Sequence, residues 1–190
     1  DRIESTPVWQ RGAEIATRYG LVAAGHEARH GEYARCDQFL RVYLHHIASE
    51  FYTCPLAMTD GAATALKASA NDALIAHAVP RLTSRDVSTC WLSGQWMTEL
   101  AGGSDAGNTE AEAWQDGNGH WRLTGRKWFT SAVVGDMALT LARPRGAGPG
   151  GHALAMFYLE THAADGSWNG IRIDQLKDKL GTRELATAEI

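Results

Sequence analysis

The sequence predicts an α+β protein, with an N-terminal all-α helical layer followed by a mainly antiparallel β-domain. Up to about residue 90, apolar residues recur three or four positions apart in alanine-rich segments, which is typical of helices that pack by one face. From Cys90 onward, tryptophan, threonine and glycine replace alanine, and the apolar runs shorten to strand length. We therefore predict a helical domain at residues 1–90 and a β-domain at residues 91–190. Turns join the predicted strands without helical crossovers, which favours antiparallel pairing.

Three helices are predicted in the first half. Thr6-Pro7 starts the first, because the hydroxyl can cap the helix and proline suits its first position, and the helix is expected to end near Gly25. The second is the best defined, since large apolar residues four positions apart form a wide face that we expect to be buried against other helices. These residues are Phe39, Tyr43, Ile47 and Phe51. The segment Cys54–Gly61 interrupts the pattern, and the third helix runs over Ala62–Val79 until Pro80 stops it.

Five strands and two shorter ones are predicted in the second half. They are placed at Trp91–Thr98, Glu110–Trp114, Trp121–Thr130, Met137–Arg143 and Ala153–Leu159, with the shorter strands near Ile171 and Leu180. The segment Asp116–Gly119, Asp-Gly-Asn-Gly, predicts a hairpin turn because these residues tolerate positive φ.

One segment matches the sequence of a dinucleotide-binding fingerprint but lacks the predicted structure that the fingerprint requires. Gly146-x-Gly148-x-x-Gly151 matches it, but Pro149 intervenes and a strand is predicted where the fingerprint needs a helix N-terminus to meet the pyrophosphate. We reject this motif and expect a hairpin loop.

Composition and charge argue against nucleic-acid-binding and membrane-spanning functions for this chain. With 44% hydrophobic residues in 190, the chain can form a real core. A net charge of −4 with scattered Lys and Arg argues against nucleic acid as a partner of this part of the chain, since phosphate binding needs clustered cations. Apolar runs fall short of the roughly 20 residues that span a bilayer, and the N-terminus lacks the apolar core of a secretion signal. We expect a cytoplasmic protein without a membrane partner.

Cysteine and histidine do not indicate a metal site. Cys36, Cys54 and Cys90 are odd in number and far apart, so neither a disulfide framework nor a zinc site is predicted, and we expect buried thiols. His45 and His46 are adjacent on a predicted helix and point about 100° apart, so they seldom reach one ion.

Two segments carry the chemistry. The first, Gln95–Asp105, is a strand end followed by Gly-Gly-Ser-Asp, and paired glycines give a sharp turn whose backbone N–H groups can approach a ligand closely. The second, Leu123–Ser131, is a strand that ends in aromatic residues and then hydroxyls. Together they would present a flat apolar surface edged by the hydroxyls of Thr98 and Ser131, which suits a planar cofactor with a phosphate tail. The alternative is an ordinary strand with a glycine-rich turn, and edge-strand aromatics packed on the helical layer.

These two motifs resemble the acyl-CoA dehydrogenase family. Gln-Trp-Met-Thr-Glu-x-x-Gly-Gly-Ser-Asp is followed in this chain by Gly-Arg-Lys-Trp-Phe-Thr-Ser, and the similarity is greatest to the branch related to the bacterial adaptive-response protein to DNA alkylation. The resemblance extends to Cys54–Thr59 and to Asp178–Arg183. It implies FAD as the cofactor, α,β-dehydrogenation of an acyl-CoA-type thioester, and a homo-oligomer.

The resemblance also implies a set of site residues. Cofactor contacts are implied at Gln95, Trp96, Met97, Thr98, Gly103, Ser104, Phe129, Thr130 and Ser131. Among these, the Thr98 position bonds the flavin, and the Ser104 position lies near the cofactor phosphates and the substrate thioester tail. Many family members have tryptophan where Phe129 falls and threonine where Ser131 falls, but a stacking face and a hydroxyl remain. Whether Trp128 also faces the flavin depends on strand register.

No catalytic residue is assigned. The resemblance implies a glutamate base in a C-terminal helical domain, and it has no counterpart in these 190 residues, so we expect the chain to be an inactive piece of a longer polypeptide. Two other functions stay open. One is a flavin-containing stress-response protein with little dehydrogenase activity, whose DNA-binding surface lies in the absent C-terminal region. The other is a non-catalytic oligomerisation or binding module.

Overall fold

Helices precede strands in the computed structural model, which describes residues 3–190 apart from the side chains of Ala28 and Glu50. The helices are α1 (Pro7–Arg18), α2 (Ala34–Ser49), α3 (Thr53–Ala68) and α4 (Asp72–Leu82). The strands are β1 (Ser93–Trp96), β2 (Glu112–Gln115), β3 (Trp121–Thr124), β4 (Thr130–Ser131), β5 (Met137–Pro144), β6 (Ala155–Glu160), β7 (Gln175–Leu176) and β8 (Thr187–Glu189). The predicted α+β class is confirmed.

Helix α1 begins where the sequence predicts and ends earlier. The Thr6 hydroxyl accepts the Trp9 N–H at 3.2 Å, and Pro7 occupies the first position. The helix stops at Arg18 instead of near Gly25, because Gly20 takes φ +64°, a conformation that commonly ends a helix. The following residues form a separate short 3₁₀ turn.

The predicted third helix is two helices with an earlier start. Cys54–Gly61, predicted to interrupt the helical pattern, lies inside α3, where Pro55 is tolerated because a first-turn residue needs no helical acceptor for its N–H. The single helix predicted over Ala62–Val79 is broken, since Asn71 starts α4 by accepting a backbone N–H of its first turn at 3.1 Å. Pro80 lies within the last turn of α4 and does not end it.

The apolar face of α2 is exposed, contrary to prediction. Phe39, Tyr43 and Ile47 are 62%, 65% and 75% exposed, and of the predicted set only Phe51, just beyond α2, packs against the core. The helix turns its smaller and polar side to the protein instead. Its buried residues are Ala34, Gln38 and Ser49.

The thiols are more accessible than predicted. Cys36 and Cys54 are exposed and Cys90 is half-buried, with all three free. Cys36 lies on the outer side of α2 and Cys54 in the first turn of α3, so neither reaches the interior. The prediction of buried thiols was wrong because it rested on residue type alone.

Strand β5 is the centre of the larger sheet. Within residues 3–190 the strand order of this sheet is β1-β5-β2-β3, and β6 also pairs with β5. A smaller sheet has the order β4-β8-β7. Four of the six pairings are antiparallel, whereas β1 and β2 both run parallel to β5. The sheet is therefore mixed, with antiparallel pairs in the majority.

The strand predicted over Trp121–Thr130 divides between the two sheets. It is interrupted at Gly125, which takes φ +152° and where a Cβ would come within 2.6 Å of the Ala111 Cβ. The chain then crosses to β4, which pairs with β8. The short strands near Ile171 and Leu180 are displaced along the chain to β7 and β8, because pairing partners and not local sequence set their positions.

Both glycine-rich loops behave as predicted. Asp116–Gly119 joins the antiparallel β2 and β3, with the Asp116 N–H bonded to the His120 carbonyl at 2.9 Å and Gly119 at φ +79°. The segment Gly146–Gly151 leads through a 3₁₀ turn into β6, so no α-helix N-terminus follows the dinucleotide-like letters.

The helical layer and the sheet share their cores. Leu66 and Leu82 from the helices pack with Met137 and Leu139 of β5 in one cluster. A second cluster joins residues of α1 and α3 to Ala132 and Leu185 in the second half of the chain. The change of secondary structure thus falls near residue 90, while the core crosses it. Over the range that the structure describes, no helix is long and apolar enough to cross a membrane.

Candidate cofactor site

The two motifs meet at one place. The Trp128 N–H donates to the Thr98 carbonyl at 2.9 Å, and the Trp96 indole N–H donates to the Ser131 carbonyl at 3.1 Å. The indole lies over Gly94, where any Cβ would overlap it. The end of β1 and the segment that enters β4 are therefore held side by side, although they belong to different sheets.

A tight loop carries the glycines and Ser104. Gly102 and Glu99 exchange backbone hydrogen bonds, and a Cβ on Gly102 would stand 2.6 Å from the Asp105 carbonyl oxygen, so this position requires glycine. Gly103 lies next to Thr98, since the nearest atom to a Cβ there is the Thr98 Cγ2 at 3.7 Å. Ser104 follows in an exposed position. The loop thus folds back beside the strand end and leaves one open side.

A buried ion pair fastens the two motifs together. Lys127 Nζ lies 2.6 Å from Glu99 Oε1 and 2.7 Å from the Leu141 carbonyl oxygen, and the side chains of the pair are 8% and 4% exposed. Glu99 also accepts the backbone N–H groups of Glu110 and Ala111. Burial lowers the pKa of Lys127, and the bond to Glu99 opposes this effect.

Sequence reasoning did not single out this pair as part of the site. The sequence did contain one indication of the pair: an acidic residue, Glu99, follows Thr98 in the first motif, and a basic residue, Lys127, precedes Trp128 in the second. Only a structure shows that the two are partners, because they lie 28 positions apart.

Phe129 is the more accessible of the two aromatic residues in the second motif. Its side chain is 42% exposed, whereas one face of Trp128 is covered by the Lys177 ammonium group, 3.1 Å from the ring centroid. Lys177 is held there by Glu189. Among the described residues no cation or aromatic ring covers Phe129, so it offers the more open ring of the two.

Buried members of the predicted set can offer only backbone atoms. Trp96 is 1% exposed within the core, and Thr130 is fully buried with its hydroxyl donated to the Ala188 carbonyl at 2.8 Å. Met97 is half-buried and packs against the cluster between helices and β5, while Gln95 is exposed. Thr98 and Ser131 are half-buried. Side-chain contacts to a ligand are thus open to Gln95, Thr98, Ser104, Phe129 and Ser131.

A family model places this arrangement among known proteins. The model of the acyl-CoA dehydrogenase middle domain matches residues 94–190, just over half of the chain, and includes both motifs. The chain belongs to the acyl-CoA dehydrogenase family. Members of this family are flavoprotein oxidoreductases of fatty acid metabolism.

Individual relatives cover nearly the whole chain. It is 41% identical over 191 residues to acyl-CoA dehydrogenase family member 11 of Caenorhabditis elegans, covering 96% of this chain and 31% of that protein. The solved apo-form of Bd2924 superimposes with a TM-score of 0.96 at 45% identity, covering 100% of this chain and 39% of that one. The structure of Caenorhabditis elegans ACDH-11 in complex with C11-CoA has a TM-score of 0.93 at 39% identity, covering 100% and 33%.

The chain spans 31–39% of the length of these three relatives. The match to the family model lies in the half that contains the β-domain, and the solved structures extend the likeness to the helical layer. The predicted family and fold are therefore confirmed, and the nine cofactor positions stay predictions.

Proposed function

We propose that this chain forms the flavin-contacting part of an FAD-dependent enzyme that oxidises the Cα–Cβ bond of an acyl-CoA-type thioester, acting as a homo-oligomer. The observation that carries the proposal is the meeting of two strand ends, in which Trp128 bonds Thr98 and Trp96 bonds Ser131. This pairing gathers an exposed phenyl ring, hydroxyls and a glycine N–H on neighbouring segments. Such a group of contacts suits a planar ring with a polar edge.

The residues fit the cofactor in distinct ways. Phe129 offers an open ring face, and the half-buried hydroxyls of Thr98 and Ser131 offer hydrogen bonds at fixed positions. Gly103 leaves room for close approach of the backbone, and the exposed Ser104 suits the phosphates or the thioester tail. Bound flavin supplies a two-electron acceptor for oxidation of the substrate.

Burial limits how the other predicted residues could contact the cofactor. Trp96 and Thr130 would contact the cofactor only through backbone atoms, since their side chains are in the core. Gln95 and Met97 complete the proposed set.

Glu99, the carboxylate within the first motif, is not proposed as the base. Its oxygens accept hydrogen bonds from Lys127 and from two backbone N–H groups, so they are not available to take a proton from a substrate carbon. We assign no catalytic residue within the chain and expect no acyl-CoA turnover by these residues alone.

The test is flavin binding by the purified chain, followed by its visible absorption and by quenching of flavin fluorescence. Thr98→Val and Ser131→Ala each remove one hydrogen bond, worth about 0.5–1.5 kcal/mol, and should weaken FAD binding about two- to tenfold. Thr124→Val, which removes an exposed hydroxyl on β3, is the matched control and should bind like the wild type. Absence of flavin binding by the wild-type chain would count against the proposal.

A further inference from the structure

We propose that Lys179 is a positioning residue of the flavin site, which acts on Ser131 through the hydroxyl of Thr187 and favours the reduced cofactor. The inference rests on the proposed function, because it concerns the same site. None of the nine cofactor positions includes Lys179 or Thr187.

A chain of hydrogen bonds links the ammonium group to the site. Ser131 and Thr187 face each other across the β4–β8 pair, with their hydroxyl oxygens 3.2 Å apart. Lys179 Nζ donates to Thr187 Oγ1 at 2.9 Å and to the Leu185 carbonyl at 2.6 Å. The Thr187 hydroxyl also lies 3.2 Å from the Leu185 carbonyl, and Thr187 is only 2% exposed, so its hydroxyl is confined to Lys179, Ser131 and that carbonyl.

The donor properties of lysine set the direction of its bond to Thr187. An ammonium group can only donate, so the Thr187 oxygen accepts from Lys179 and keeps its own proton for another acceptor. Two acceptors lie 3.2 Å from the Thr187 oxygen, the Leu185 carbonyl and the Ser131 hydroxyl, so the Thr187 proton can be donated to Ser131. When Thr187 donates to Ser131, the Ser131 proton points away from Thr187 and can be donated to a ligand. A charged donor at the start strengthens each following bond.

The charge of Lys179 is not cancelled by a carboxylate. Lys127 is paired with Glu99 and Lys177 with Glu189, whereas none of the ion pairs found in residues 3–190 includes Lys179. Burial lowers the pKa of Lys179, and its proximity to the Cys54 thiol opposes this effect. A partly buried cation without an anion stabilises negative charge nearby.

Flavin provides such a charge only after reduction. Reduction adds two electrons to the ring, and its polar edge becomes more negative, so a cation behind Ser131 stabilises the reduced form more than the oxidised form. The alternative is that Lys179 only holds its own turn in place, through the Leu185 carbonyl. That role predicts a change in stability but no change in reduction potential.

The experiment measures the midpoint potential of FAD bound to the protein, by spectroscopic reduction against reference dyes. In Lys179→Met we expect the reduced cofactor to bind about tenfold less tightly relative to the oxidised form, which is about 30 mV lower for two electrons. Lys179→Arg keeps the charge and should restore most of the potential. Thr187→Val keeps the ammonium group but breaks the chain, and should lower the potential by less. Lys67→Met removes a lysine on α3 and should leave it unchanged.

Each outcome either supports or overturns the role of Lys179. If Lys179→Met binds FAD with the wild-type potential, the inference is overturned while the proposed function stands. If Lys179→Met does not fold or does not bind FAD, the other variants decide, because a lowered potential in Thr187→Val supports the inference and a wild-type value overturns it. A wild-type protein that binds no FAD overturns both.

Discussion

Asp60 shows how a single carboxylate can tie the helical layer together. It accepts hydrogen bonds from His26 at 2.6 Å and from Arg35 at 2.5 Å, and its side chain is 20% exposed. Burial raises the pKa of Asp60, but the bonds from His26, Arg35 and Gln38 outweigh this effect and bring the pKa to about 2. The carboxylate is therefore better stabilised in the folded chain than in the unfolded chain.

The first prediction is that this group makes the protein acid-sensitive. Since the folded pKa lies below the unfolded value of 3.8, the stabilisation is present above about pH 4 and is lost as the pH falls towards 2. It amounts to about 2 kcal/mol at neutral pH. Asp60→Asn should lower the free energy of unfolding in urea at pH 6 and reduce its slope between pH 4 and pH 2. Asp178→Asn, at a 96% exposed carboxylate, should change neither.

The second prediction concerns the buried pair of Glu99 and Lys127. Lys127→Met would leave the Glu99 charge buried without its partner and should cost about 3–5 kcal/mol of unfolding free energy. Adding Glu99→Gln removes that charge and should recover part of the loss. For comparison, Arg11→Met breaks an exposed pair on α1 and should cost at most about 1 kcal/mol. A loss below 1 kcal/mol for Lys127→Met would show that the pair does not hold the motifs together.

At the scale of the elements, the loop after β1 offers a matched pair of glycines. Gly102→Ala would force a Cβ to within 2.6 Å of the Asp105 carbonyl oxygen, whereas Gly103→Ala meets its nearest neighbour at an ordinary 3.7 Å. We predict that Gly102→Ala lowers the thermal midpoint by several degrees, as expected for about 1–3 kcal/mol, and that Gly103→Ala changes it little. Equal midpoints for the two variants would contradict the loop geometry described above.

Secondary structure was predictable where local chemistry decides it. The Thr6-Pro7 start of α1 and the Asp116–Gly119 hairpin follow from capping and from positive φ, which act within a few residues. The break between α3 and α4 and the division between β3 and β4 were missed. At both places the apolar pattern of the sequence continues across the break. At the first, Asn71 caps a new helix. At the second, the backbone conformation of Gly125 lets the chain pass from one sheet to the other.

At the scale of the whole molecule, the exposed side of α2 is the largest departure from expectation. Phe39, Tyr43 and Ile47 lie on this face together with Leu40 and Leu44, all at least 58% exposed. Contiguous apolar surface of this kind favours association.

We predict that the chain on its own self-associates through this face. Replacing Tyr43 and Ile47 together by glutamate should reduce the average mass measured by light scattering at equal concentration, without loss of helical signal in circular dichroism. Tyr33→Glu, at an equally exposed tyrosine outside α2, is the matched control and should leave the mass unchanged. If the double variant scatters like the wild type, the association does not use this face.

The two segments of the candidate site could be predicted from the sequence, but the contacts between them could not. The letters around Thr98 and Ser131 marked both segments, since hydroxyls, glycines and aromatic residues at strand ends are local signals. Their contact through Trp96 and Trp128, the pairing of Glu99 with Lys127, and the choice of Phe129 over Trp128 depend on atoms far apart in the chain.

The sequence by itself determined the α+β class, the order of helices before strands, and the family, because each is expressed in local periodicity or in short motifs. The tertiary structure alone decided which face of α2 is buried, which sheet receives each strand, and which side chains near the site stay accessible. Burial depends on what packs against a residue, and the sequence around that residue does not contain this information.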